Sequence, residues 1–154
     1  MHELLSRSAT QIARAIHDRA VSSEEITRAA LERIDEVNPK LNAVVVLTEK
    51  SALKLARKAD SLTSKTQPLP PLHGVPITIK DAFEVSGVVS TGGTLGRKDY
   101  VPNTDATVVS RLKKAGAIIL GKTNLPEISM GFESSNLVYG RTNNPFDVDR
   151  TPGG

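Results

Sequence analysis

Three short apolar runs, residues 43–47 (AVVVL), 75–79 (VPITI) and 117–120 (AIIL), alternate along this chain with stretches whose apolar residues recur at helical spacing. That alternation predicts an α/β layered fold, a mixed sheet core flanked by helices, and argues against a bundle or a β-sandwich. Ser8 opens one helix pattern with Ile12, Ala13 and Ile16 on a common face. Ser22, with Glu25 three residues on as a capping box, opens a second that runs through Ile26, Ala30, Ile34 and Val37 until Asn38-Pro39 stops it. The runs at 43–47 and 117–120 read as fully buried strands. Residues 49–62 return to helical spacing through Leu53, Ala56, Ala59 and Leu62, and 64–71 form a proline-bearing connector. A glycine-rich turn region at 86–103 precedes a helix over about 105–115, with Thr104 as cap, Val108, Val109 and Leu112 inward, and Gly116 at its end. From Gly121 onward periodicity fades, and so long an aperiodic stretch in a compact domain is either functional surface or part of something larger.

Composition removes several function classes. The 154 residues are 38% hydrophobic and 24% charged, which suits one ordinary globular core. Aromatics are 3% with no tryptophan, so few stacking platforms exist for single-stranded nucleic acid. The net charge of +3 is spread and mixed with acids, as in Arg33, Asp35, Glu36 and Lys40, and no nucleic-acid partner is expected. Without cysteine there is no disulfide, thiolate metal site or cysteine nucleophile. The three histidines, His2, His17 and His73, sit in unrelated contexts, so no metal site and no cofactor is expected. His73, in a turn beside Gly74, reads as a structural hydrogen-bonding group. Glu3, Arg7, Arg14, Asp18 and Arg19 break any signal-peptide or membrane-spanning pattern, which points to a cytoplasmic chain with no membrane partner.

Residues 72–81 (LHGVPITIKD) place Lys80 where an apolar strand leaves the core. Spacing alone makes such a lysine a solvated or paired strand end. Asp81, next along, turns to the other face and takes a structural role. A rival motif lies at 116–123, GAIILGKT, which fits the phosphate-loop pattern letter for letter. A phosphate loop needs a strand before its first glycine and a helix after its threonine. Here a helix pattern precedes Gly116, the middle is strand-like, and Asn124-Leu125-Pro126 opposes a helix, so the NTPase reading is rejected.

Four blocks together, LNAVVVLTEKSALKLARKAD, LHGVPITIKD, GAIILGKTNLPE followed by SMG, and SNLVYGRTNNPFDVDRTPGG, resemble the N-terminal part of the amidase signature family over residues 41–154. The resemblance implies that residues 1–154 are the N-terminal part of a single amidase domain, with helices over 1–40 and the start of an α/β core over 41–154. It implies hydrolysis of a small carboxamide substrate through a Ser-Ser-Lys triad, with Lys80 as the lysine and no cofactor. That chemistry needs an uncharged amine, and burial is the physical means of favouring one. Met130 and Gly131 match a family segment near the acyl-binding pocket. In the family both triad serines follow the Arg-Thr-Pro-Gly-Gly run, so this chain by itself is expected to be inactive. Ser134 and Ser135 lack the Gly-Gly turn that accompanies the family's serines and read as polar packing. PITIKDAF and TNLPEISMGFESSN look more like free-standing amidases. The alternatives are an A-subunit-like glutamine amidase of a tRNA amidotransferase, and a non-catalytic fragment that binds a partner.

Overall fold

The chain leaves its third helix through Asn38, and that exit sets the first strand. In the computed structural model, which describes residues 2–63 and 68–154, the early helices are α1 (His2–Leu5), α2 (Ala9–His17) and α3 (Ser23–Leu41). Ser8 caps α2 through a capping box with Gln11. Glu25 accepts from the Ser22 backbone N–H at 2.7 Å, as the sequence pattern predicts for the next helix. The expected stop at Asn38-Pro39 instead comes at Leu41, with Pro39 inside the helix. Proline in a last turn removes one intrahelical bond, and the Asn38 side chain organises the passage into the first strand. Its oxygen accepts from Ala43 and Val44 N–H at 2.8 Å each, and its amide donates to the Val44 carbonyl at 2.8 Å.

The remaining elements are β1 (Val44–Leu47), α4 (Glu49–Thr63), β2 (Pro76–Lys80), a 3-10 turn η1 (Leu95–Arg97), α5 (Thr107–Lys114), β3 (Ile118–Thr123), a second 3-10 turn η2 (Glu127–Ser129), and the two-residue strands β4 (Ser135–Asn136) and β5 (Gly140–Arg141). The main sheet has the order β1-β3-β2, with β1 antiparallel to β3. Ile118 N–H donates to Val75 O, and Asp81 N–H to Thr123 O, so β2 and β3 run in the same direction. The architecture is therefore mixed α/β. Residues 64–67, within the expected connector, lie outside the described residues.

Two compact units make up the chain. The first comprises residues 1–33, 48–77 and 110–120. Its core holds Ile12, Ala15, Ile16, Val21, Ile26 and Val75. The inward stripe of α4 is Ala52, Ala56, Ala59 and Thr63, not the expected Leu53 and Leu62, because small side chains at i, i+4 spacing let the helix pack closely. His73 is buried, with Nε2 3.0 Å from both Thr63 Oγ1 and the Ala59 carbonyl, which is the structural role expected of it.

The second unit comprises residues 34–47, 78–109 and 121–154. In it β1 is an edge strand, half-buried with Leu47 exposed, where the sequence suggested full burial. Helix α5 starts later than expected, so Thr104 is not its cap, and Val108 faces outward while Val109 is buried. Strand β3 continues through Gly121, Lys122 and Thr123, where the sequence suggested a turn and a phosphate loop would start a helix. Gly121 is required there: a Cβ at that position would collide with the Val46 carbonyl oxygen across the β1/β3 pairing.

Candidate active site

Lys80 is the last residue of β2, half-buried, while Ile79 before it is buried. Its carbonyl accepts from Phe83 N–H at 3.0 Å. Among the described residues no hydrogen bond or ion pair is made to its amine. Asp81 follows a different course. Its side chain is fully buried and meets Lys122 Nζ at 2.6 Å, and Lys122 is equally buried. Lys122 also donates to Ser90 Oγ at 2.8 Å. The other carboxylate oxygen of Asp81 accepts from Thr91 N–H at 3.0 Å and from the Thr91 hydroxyl at 2.6 Å. Asp81 is thus structural, as its strand position suggested.

Burial pushes the Lys122 ammonium below the ordinary lysine range, and the hydrogen bond and charge of Asp81 oppose that fall. Burial also raises the Tyr139 phenol, and the Asp81 charge adds to the rise. Breaking such a buried pair by removing one partner typically costs about 3–5 kcal/mol, because a lone charge is left behind.

From this ion pair a short path of backbone bonds leads to the segment carrying Met130 and Gly131. Gly92 N–H donates to the Asp81 carbonyl at 3.3 Å, and Ile128 N–H donates to the Gly92 carbonyl at 2.7 Å. Gly93 has φ +72°, and a Cβ there would stand 3.1 Å from the Asn136 amide nitrogen. Asn136 in turn donates to Asn124 Oδ1 at 2.7 Å and to the Leu125 carbonyl at 2.9 Å. Ile128 and Ser129 hold φ values of 52° and 58°, left-handed backbone that is costly for a β-branched residue. The loop so held lines a cavity of about 340 Å³ with Pro126, Glu127, Met130, Gly131 and Ser135 among its walls.

The structure therefore brings Met130 and Gly131 together in one cavity, and Lys80 is not among the residues lining it. Ser134 donates its hydroxyl to the Gly153 carbonyl at 2.9 Å, and Ser135 lies in β4, so both are tied into local backbone structure. Among the described residues no group of three or more His, Asp or Glu side chains is placed to hold a metal ion. Sequence reasoning missed Lys122, Asn124 and Asn136. A signal for Lys122 was present, since it too follows an apolar run, within the phosphate-loop-like pattern at 116–123.

A half-buried lysine at the end of β2, its adjacent aspartate bonded elsewhere, thus stands on a mixed α/β scaffold. The Amidase family model matches residues 25–154. This chain belongs to the amidase family. It is 48% identical over 147 residues to the indoleacetamide hydrolase of Bradyrhizobium diazoefficiens, covering 96% of this chain and 28% of that protein. It is 40% identical over 154 residues to the glutamyl-tRNA(Gln) amidotransferase A subunit of Cutibacterium acnes, covering all of this chain and 31% of that protein. Among solved structures, the peptide amidase of Stenotrophomonas maltophilia superposes with a TM-score of 0.88 at 30% identity, over 97% of this chain and 32% of that one. The chain thus spans about 30% of the length of the relatives it matches. Both an indoleacetamide hydrolase and amidotransferase A subunits occur among those relatives. No helix of the described residues is long and apolar enough to cross a membrane.

Proposed function

We propose that these residues supply the lysine and one wall of the acyl site of a serine amidase that converts a small carboxamide to a carboxylic acid, as the N-terminal part of one amidase domain. In this reading the Lys80 amine accepts a proton relayed from a nucleophilic serine hydroxyl through a bridging serine. The serine oxygen attacks the amide carbon, the C–N bond breaks with the proton passing to the departing nitrogen, and water releases the acid. Met130 and Gly131 contribute to the acyl site. The observation that carries this reading is that the Asp81 carboxylate is engaged by Lys122, which leaves the amine of half-buried Lys80 uncommitted among the described residues. Lys122 is fully buried and ion-paired, so a substrate does not reach it.

The test is a chimera in which residues 1–154 replace the matched part of the Bradyrhizobium diazoefficiens hydrolase. It should hydrolyse simple amides such as indoleacetamide, and the Lys80→Ala form should not. Activity that survives in Lys80→Ala overturns the assignment. The 154 residues alone are expected to be inactive, because the motif match places neither triad serine among them.

A second reading, the glutamine amidase of a tRNA amidotransferase, is favoured by the 40% identity to the Cutibacterium acnes protein over the whole chain. Against it stand Ala82 after Lys80-Asp81 and Leu125-Pro126-Glu127-Ile128, where the resemblance leads one to expect Asn and Met-Asp-Glu-Phe for a protein of that kind. Hydrolysis by the chimera without partner subunits supports the free-standing reading, in which neither nucleic acid nor membrane is a partner and the setting is cytoplasmic. Glutamine hydrolysis that requires the other amidotransferase subunits supports the second.

A further inference from the structure

We propose that Lys122 is a positioning residue for Lys80: by holding the Asp81 carboxylate in a buried ion pair, it keeps the adjacent negative charge off the Lys80 amine and fixes the chain where β2 ends. The inference deepens the reading of Lys80 as the proton acceptor and rests on it. Its basis is the arrangement of groups around one carboxylate. Asp81 directly follows Lys80, and a carboxylate beside an ammonium favours its charged form, which a proton acceptor cannot use. Both carboxylate oxygens of Asp81 are instead directed inward, one to Lys122 at 2.6 Å and the other to Thr91 at 2.6 and 3.0 Å.

The surrounding charges leave this task to Lys122. Glu84 and Arg97, which act electrostatically on Lys122, are bonded to each other at 2.7 Å, and burial raises the Tyr139 phenol. Ser90 fixes the ammonium at 2.8 Å while anchoring itself on the Val88 carbonyl at 3.1 Å. The same carboxylate fixes geometry as well. Thr91, bonded to Asp81, accepts from Gly93 N–H at 2.9 Å, and Gly92 bonds the Asp81 carbonyl, so the strand end and the 91–93 turn share one anchor. Without Lys122, a desolvated carboxylate would turn to the cation beside it in the chain.

Lysine reactivity tests this on the 154-residue chain without any amide being hydrolysed, so its failure and the failure of the amidase reading are distinguishable. Each lysine is labelled with acetic anhydride at fixed pH and quantified by peptide mass spectrometry, with exposed Lys40 and Lys50 as internal references. In the wild-type chain Lys80 should label at a rate of the same order as the references and Lys122 at least about tenfold more slowly. Labelling of Lys122 at the reference rate overturns the buried pair, and the proposal with it. In Lys122→Met, Lys80 should label at least about fivefold more slowly as the freed carboxylate holds it protonated. A Lys80 rate unchanged within twofold in a folded Lys122→Met overturns the proposal. The Asp81→Asn/Lys122→Met double variant removes both charges and should restore the Lys80 rate to within about twofold of wild type. If the single variant unfolds and all its lysines label alike, the double variant decides: a Lys80 rate within twofold of wild type supports the proposal, and a larger departure overturns it.

Discussion

Lys80 and Lys122 each stand at the polar end of an apolar strand run, in VPITIKD and AIILGKT, yet the fold treats them in opposite ways. Lys80 is half-buried with an amine unengaged among the described residues, whereas Lys122 is fully buried against Asp81 and Ser90. Their neighbours make the difference. Lys80 closes its strand, while the strand holding Lys122 runs on to Thr123 and carries the side chain inward. Sequence spacing describes the two residues identically, and only the carboxylate that the sheet brings across to Lys122 separates them.

Loss of function should separate them most sharply. In the chimera, Lys80→Ala is expected to lower kcat/KM by roughly a hundred- to ten-thousand-fold, the usual contribution of a positioned proton acceptor, with little change in the urea unfolding midpoint. A Lys80→Ala protein that unfolds early would assign this lysine to the scaffold and dissolve the contrast. Stability should then separate them in reverse. Lys122→Met is expected to cost about 3–5 kcal/mol in urea denaturation, and Asp81→Asn/Lys122→Met far less, since no lone charge remains. Equal losses in the single and double variants would show that packing, not charge, holds the site.

The strand that carries Lys122 depends on Gly121. Gly121→Ala should cost about 1–3 kcal/mol by the same measurement, because its Cβ would meet the Val46 carbonyl oxygen. The smallest effect lies far from either lysine. Hydrogen bonds from the Ser22 backbone and hydroxyl hold the Glu25 carboxyl below its ordinary 4.5. A lowered folded value means the stabilisation is fully present above the unfolded value and is lost as pH falls through the folded one. The stability difference between wild type and Glu25→Gln should therefore be constant above about pH 5 and shrink in acid.

Much of this was legible in residue order. The period-2 and helical patterns located the main helices and the three strands of the larger sheet, and Ser8 and Ser22 marked their helix starts, because capping and periodicity are local physics. Errors came where tertiary contacts overrode local rules. In α4, Ala52 and Thr63 join Ala56 and Ala59 on the inward stripe in place of Leu53 and Leu62, and β1 lies at the sheet edge with Leu47 exposed. At the candidate site, Met130 and Gly131 were named from motif and share a cavity, but the Gly92 bonds that link their loop to the end of β2 span distant positions in the chain and leave no local pattern.

The order of residues by itself determined the α/β class, the family, and the presence of a lysine at the end of a buried strand. Tertiary structure alone decided which lysine is buried and which carboxylate it binds. The reason is physical: helix and strand periodicity act over a few residues, whereas the Asp81–Lys122 contact joins positions 41 apart in the chain and exists only once the sheet has formed.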